Sequence, residues 1–136
     1  MATFQQSATL KAALGGNSSV FDIHGSLQRL GGDKGLLADL IQFYDQDSPA
    51  LLERLRLGVQ TKCAEDVRYA AHALRGLVAN FGAAALREQL LRLEEAAEQN
   101  RIEDTPEPLK RAQDEAARLS AAMSPYRHEG HSTAGH

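Results

Sequence analysis

Aromatic residues are scarce in this chain, and tryptophan is absent. Phenylalanine and tyrosine together make up 5% of the 136 residues. Because aromatic side chains are among the residues that sheets favour, their scarcity argues against a sheet. A core built from this sequence must consist mainly of leucine, alanine and valine, which favours a helical bundle. The length suits one small domain with a single core of ordinary size.

Other absences restrict the compartment and the partners. The single cysteine, Cys63, excludes an internal disulfide bond and suits a reducing compartment. No apolar run approaches the roughly 20 residues that span a membrane, and the N-terminus lacks the cationic and apolar regions of a signal peptide. The formal net charge of −3 argues against general nucleic-acid affinity. We therefore expect a cytoplasmic protein that binds neither nucleic acid nor membrane.

Capping and helix-breaking residues divide the first half of the chain into helices. Asp22 caps a short helix that runs to about Leu30, where two glycines break it. Asp33 caps the next helix. Ser48-Pro49 predicts that a new helix starts there, because serine suits the cap position and proline suits the first helical position.

Similar signals divide the second half. A helix begins between Thr61 and Ala64 and ends at Gly82, because glycine suits the left-handed residue that follows many helices. The next helix carries leucine and alanine at a heptad-like spacing that places them on one face. Thr105-Pro106 starts the last helix, and Ser124-Pro125 ends it. The sequence thus predicts an all-α protein, an antiparallel four-helix bundle with a short additional N-terminal helix. The bundle spans residues 21–123, between a flexible arm (1–20) and a disordered tail (124–136).

One histidine lies on the polar side of a strongly patterned helix. Apolar residues recur at the spacing of a buried stripe around residues 67–81. At about 100° per residue, His72 lies roughly 160° around the helix from Leu74, so it faces solvent. Arg75 and Gly76 are its surface neighbours at i+3 and i+4. Spacing alone leaves two interpretations open, an ordinary surface histidine or a histidine that another protein approaches closely. Gly76 favours the second, because a glycine inside a helix costs roughly 1 kcal/mol relative to alanine.

The wider sequence resembles the histidine-containing phosphotransfer (HPt) domain of two-component phosphorelays. The family motif A-H-x-L-K-G, followed a few residues later by G-A, is matched by AHALRG at residues 71–76 and by Gly82-Ala83. The resemblance runs from about Leu27 to Asn100. The chain departs from the motif in two places: Arg75 replaces the family lysine, and Leu77-Val78 replaces the usual small polar pair.

The resemblance implies a function and a set of site residues. It implies that His72 accepts a phosphoryl group from an aspartate of a response-regulator receiver domain, and that Arg75 offsets charge on the phosphoryl oxygens. The partner, a receiver domain or a hybrid sensor histidine kinase, would dock on a face that includes Arg68, Gly76 and Ala79. The chain would be a monomeric, stoichiometric carrier and not an enzyme. It would hold no cofactor of its own, and Mg²⁺ would belong to the receiver domain.

Glu94 is a further candidate for the site. His72 lies ten residues before Gly82 and Glu94 twelve after it. If the chain reverses at Gly82, a rise of about 1.5 Å per residue brings the two side chains to nearly the same level. A carboxylate that accepts the Nδ1 proton would fix the imidazole tautomer. The alternative is an ordinary solvated glutamate; the resemblance favours contact with the histidine, because the family usually has a polar residue there.

Two other functional interpretations remain at this stage. The chain could be a non-catalytic helical adaptor in which His72 is incidental. A metal site could form from histidines near the C-terminus, but His128, His131 and His136 lack a scaffold and acidic partners. No glycine-rich phosphate loop is present, so we expect no nucleotide site.

Overall fold

The computed structural model describes residues 19–127, and within them the regular structure is helical. Five α-helices follow one another: α1 (Ile23–Arg29), α2 (Lys34–Gln60), α3 (Ala64–Val78), α4 (Ala84–Glu98) and α5 (Pro106–Met123). Each of the four long helices packs against the next along the chain, and α2 also contacts α5. Because the connections are short, successive helices run antiparallel and close into a four-helix bundle. The all-α prediction is confirmed.

The predicted caps begin the first two helices. A side-chain oxygen of Asp22 accepts a hydrogen bond from the backbone N–H of Gly25 at 3.0 Å, and Asp33 accepts one from Leu36 at 2.9 Å. These bonds satisfy N–H groups that the first helical turn leaves without partners. The short helix α1 and the long helix α2 therefore begin where the sequence predicted, directly after Asp22 and Asp33.

The predicted restart at Ser48-Pro49 is wrong, because α2 continues through Pro49 without interruption. Proline removes one backbone hydrogen bond from a helix interior. Burial on both sides offsets that loss, since Tyr44 before the proline and Leu55 after it are 3% and 0% exposed. Ser48 is itself buried and hydrogen-bonds to Tyr44, so it does not serve as a cap. Tertiary packing outweighs the local signal here.

The histidine helix α3 ends in the way that Gly82 predicted, with one additional turn. The α-helix stops at Val78, and a 3₁₀ turn (Ala79–Phe81) leads to Gly82, which has φ of 58° and ψ of 34°. A Cβ atom on Gly82 would lie 2.8 Å from the Cβ of Asp22. Both the left-handed backbone and this close approach therefore require glycine. The reversal places α4 antiparallel to α3, which is what brings the functional side chains together.

The core is aliphatic with a small aromatic cluster. Leucine, alanine and valine dominate the buried positions, in agreement with the composition. Phe81 packs edge-on against Phe21 and Tyr44, with ring centroids 6.2 and 5.9 Å apart. These contacts connect the end of α3 to the N-terminal segment and to α2, so they help to fix the position of α3 along the bundle axis.

Both predicted boundaries of the bundle differ from the structure. Val20 is 8% exposed within the core, although the sequence placed it in the flexible arm. Ser124–Tyr126 form a 3₁₀ turn, and Arg127 pairs with Asp45 through two hydrogen bonds of 2.8 and 3.0 Å, although the sequence placed all four residues in the disordered tail. These segments are ordered by contacts with α2 and the core, which local sequence does not reveal. The remainder of the arm (1–18) and of the tail (128–136) lies outside the described residues.

Candidate functional site

His72 projects from the middle of α3 into solvent. Its side chain is 65% exposed, whereas Ala71 and Leu74 on the same helix are buried, with exposures of 0% and 1%. The helical stripe therefore places the imidazole on the outer face, as the sequence predicted. An exposed imidazole is accessible to a partner macromolecule without movement of the bundle.

Glu94 lies beneath the imidazole. It projects from α4, its side chain is 9% exposed, and its Oε2 atom lies 2.9 Å from Nδ1 of His72. The reversal of the chain at Gly82 brings Glu94 on α4 to the level of His72 on α3. The side chain is therefore not the solvated glutamate that the alternative interpretation described.

Arg75 completes a group of three side chains. Its Nε donates a hydrogen bond to Oε1 of Glu94 at 2.8 Å, and its Nη2 lies 3.4 Å from Nδ1 of His72. Each oxygen of the carboxylate therefore has one partner, the arginine on Oε1 and the histidine on Oε2. Sequence reasoning paired Arg75 with His72 alone and missed its contact with Glu94. The available signal was that Arg75 lies one turn from His72 and so faces the same part of α4.

Two contacts make opposite demands on Nδ1. A carboxylate only accepts, so the contact with Glu94 needs a proton on Nδ1, whereas a hydrogen bond from Arg75 would need a lone pair there. The carboxylate contact is the shorter of the two, 2.9 Å against 3.4 Å, and is the stronger type of bond. We therefore assign the proton to Nδ1. This tautomer leaves a lone pair on Nε2, the ring nitrogen that contacts neither Glu94 nor Arg75.

The charge state of Glu94 follows from its surroundings. Burial raises the pKa of this carboxyl, but hydrogen bonds from Arg75 and His72 outweigh burial and hold the pKa below its ordinary value. The carboxylate is thus ionised near neutral pH although it is almost fully buried.

This lowered pKa predicts how stability changes in acid. Because the folded-state pKa lies below the unfolded value near 4.5, ionised Glu94 contributes stability above that value. The contribution is lost as the pH falls from about 4.5 through the folded-state pKa. For each protein, the quantity of interest is the stability lost between neutral pH and this acidic interval. We expect this loss to be smaller for Glu94→Gln than for the unmodified chain. Urea unfolding over a pH series measures the difference, and parallel curves for the two proteins would rule out this role of Glu94.

The other predicted docking residues lie on the same face of α3. Arg68 forms an exposed ion pair with Glu65 at 2.9 Å, which a partner could replace at little cost. Gly76 is exposed, and a Cβ atom built on it would meet nothing within 4 Å. Ala79 is exposed at the start of the 3₁₀ turn that follows α3. The face around His72 is therefore open, and no neighbouring side chain covers Gly76.

Comparison with known families shows to which family the chain belongs. The family model of the Hpt domain matches residues 39–122, which is more than half of the sequence. The chain therefore belongs to the Hpt domain family, whose members carry phosphoryl groups in two-component signalling and are not catalysts in their own right. No curated protein and no solved structure matched the chain.

Between residues 19 and 127, no group of three or more histidine, cysteine, aspartate or glutamate side chains is placed to hold a metal ion. The three histidines considered at the C-terminus lie outside this range. In the same part of the chain, none of the helices has the length and apolar character needed to cross a bilayer.

Proposed function

We propose that the chain relays phosphoryl groups between His72 and the aspartate of a response-regulator receiver domain. The observation that carries the proposal is the arrangement of His72, whose side chain is 65% exposed and is held at Nδ1 by the nearly buried carboxylate of Glu94. Membership of the Hpt family supplies the class of reaction. The partner would be a receiver domain, alone or within a hybrid sensor histidine kinase, and it would supply Mg²⁺ and most of the catalysis.

The transfer step uses the tautomer assigned above. The lone pair on Nε2 attacks phosphorus of the aspartyl phosphate in line, the phosphorus–oxygen bond breaks, and the aspartate leaves as a carboxylate. The proton on Nδ1 stays where it is. Because both ring nitrogens are then substituted, the ring carries a positive charge, and ionised Glu94 stabilises it at 2.9 Å. The reverse step passes the phosphoryl group to a second receiver domain.

The open surface of α3 fits such a partner. Arg68 and Ala79 lie on the same face as the histidine, one turn before it and two turns after it, and Gly76 leaves space for the partner's backbone. The competing interpretation, a non-catalytic adaptor, needs no particular tautomer and no buried carboxylate behind the histidine. Incubation with a phosphorylated receiver domain distinguishes the two. The relay predicts an acid-labile, base-stable phosphoryl group on this chain, whereas an adaptor would acquire none.

Arg75→Ala is expected to slow transfer more than Arg75→Lys. Arg75 makes a charge-assisted hydrogen bond to Glu94, the carboxylate that contacts His72. A bond of this kind is worth roughly 1.5–3 kcal/mol, less in contact with water. Since only the part realised in the transition state affects the rate, we expect alanine to cost about tenfold and lysine much less. Single-turnover transfer from a phosphorylated receiver domain, at equal folded concentrations, measures this. Equal rates for all three proteins would mean that the charge of Arg75 does not contribute.

A further inference from the structure

The hydrogen bonds of Arg75 point away from the place where a phosphoryl group would be. Its Nε binds Oε1 of Glu94, and its nearest approach to the imidazole is at Nδ1, 3.4 Å away. The proposed acceptor, Nε2, is at the other end of the ring. The guanidinium therefore lies behind the histidine in this structure, in contact with the residue that orients it.

Glu94 depends on this arginine for its own geometry. Its side chain is 9% exposed, so water cannot fully replace a lost partner, and only Arg75 and His72 hydrogen-bond to it among the described residues. A buried carboxylate oxygen without a partner is costly. With Oε1 held by Arg75, the remaining oxygen is directed at Nδ1.

We infer that Arg75 is a positioning residue that acts on His72 through Glu94, by holding the carboxylate in the orientation that keeps the proton on Nδ1. The inference rests on the proposed function for its consequence in phosphoryl transfer. The orientation itself is a property of the unphosphorylated protein and can be measured without any transfer.

Arginine suits this position better than the lysine of the family motif. The guanidinium is planar and rigid, and it donates to Oε1 of Glu94 through Nε, so it fixes the direction of this hydrogen bond. A lysine offers the same charge from a single point, so it can stay near Glu94 but holds the carboxylate plane less firmly. In the unmodified chain, burial raises the pKa of Glu94, and the hydrogen bond from Arg75 is the largest of the contributions that lower it.

The test is ¹⁵N NMR of the His72 ring in the unphosphorylated full chain, recorded at an alkaline pH at which the ring spectrum shows the neutral imidazole. The variants are Arg75→Ala and Arg75→Lys. Arg111→Ala serves as the matched control, because it removes an arginine from an exposed ion pair with Glu107 on α5. We expect the Nδ1–H tautomer to predominate in the unmodified chain and in the control. It should fall clearly in Arg75→Ala and recover in part in Arg75→Lys. An unchanged tautomer population in Arg75→Ala, with the melting temperature retained, would overturn the inference.

Transfer rates provide a second readout through a double-mutant cycle. If Arg75 acts through Glu94, Arg75→Ala costs less in a Glu94→Gln background than in the unmodified chain. The same cost in both backgrounds would contradict the inference. If the chain accepted no phosphoryl group, the proposed function would fail while the tautomer measurement still decided the role of Arg75. The two failures are therefore distinguishable.

Discussion

Replacing His72 with glutamine is expected to abolish phosphoryl acceptance and to leave the fold intact. The side chain is 65% exposed and contributes little buried area, so the stability change should stay within about 0.5 kcal/mol. The glutamine amide can still donate a hydrogen bond to Glu94, which also keeps its bond from Arg75. No nucleophilic ring nitrogen remains. Phosphoryl incorporation and thermal unfolding, measured on the same preparation, test both halves of the prediction.

The matched control is His24→Gln, because His24 is an exposed histidine on α1. It should accept phosphate as the unmodified chain does. Incorporation that persists in His72→Gln, or that disappears in His24→Gln, would show that the acceptor has been wrongly assigned.

Changing Gly76 to glutamate should reduce transfer by about a hundredfold or more. The residue lies one turn from His72, so the new carboxylate would stand beside the incoming phosphoryl group and occupy space that the partner needs. Like charges brought together in an interface cost several kcal/mol, and each 1.4 kcal/mol is a factor of ten in rate. The isolated bundle should not lose stability. A Cβ on Gly76 meets nothing within 4 Å, and glutamate is a better helix former than glycine.

Two further substitutions at this position separate size from charge. Gly76→Gln has the size of glutamate without its charge, so it should transfer faster than Gly76→Glu. Gly76→Ala adds one methyl group in open space and should stabilise the helix by up to about 1 kcal/mol. Single-turnover rates and urea unfolding of the three variants measure these effects. Transfer by Gly76→Glu at the unmodified rate would mean that the partner does not approach this part of α3.

The fold follows from local signals where those signals agree with the core. Asp22, Asp33 and Gly82 mark the ends of helices correctly, because a side-chain cap or a left-handed glycine satisfies backbone groups within a few residues. Ser48-Pro49 gives the same kind of signal and is misleading. The buried residues on both sides of Pro49 keep α2 continuous, and that burial depends on helices distant in sequence.

The site is predictable to the extent that it depends on helix geometry. The exposure of His72 follows from the stripe of α3, and the level of Glu94 follows from counting residues on each side of Gly82. The bond between Arg75 and Glu94 was not predicted, although Arg75 lies one turn from His72 and faces the same part of α4, because the sequence reasoning considered Arg75 only as a neighbour of His72 along α3. The ordered contact of Arg127 with Asp45, 82 residues apart in sequence, was missed for the same reason.

The most direct test of the relay is to locate the phosphoryl group at atomic level. The full chain is phosphorylated by a receiver domain charged on its aspartate and, separately, by phosphoramidate as a small donor. Mass spectrometry at alkaline pH then identifies the residue, and ³¹P and ¹⁵N NMR identify the nitrogen. The account predicts one phosphoryl group, on Nε2 of His72, with the proton retained on Nδ1 beside Glu94. A phosphoryl group on Nδ1 or on another side chain would contradict it. The absence of phosphoryl incorporation with both donors would also contradict it.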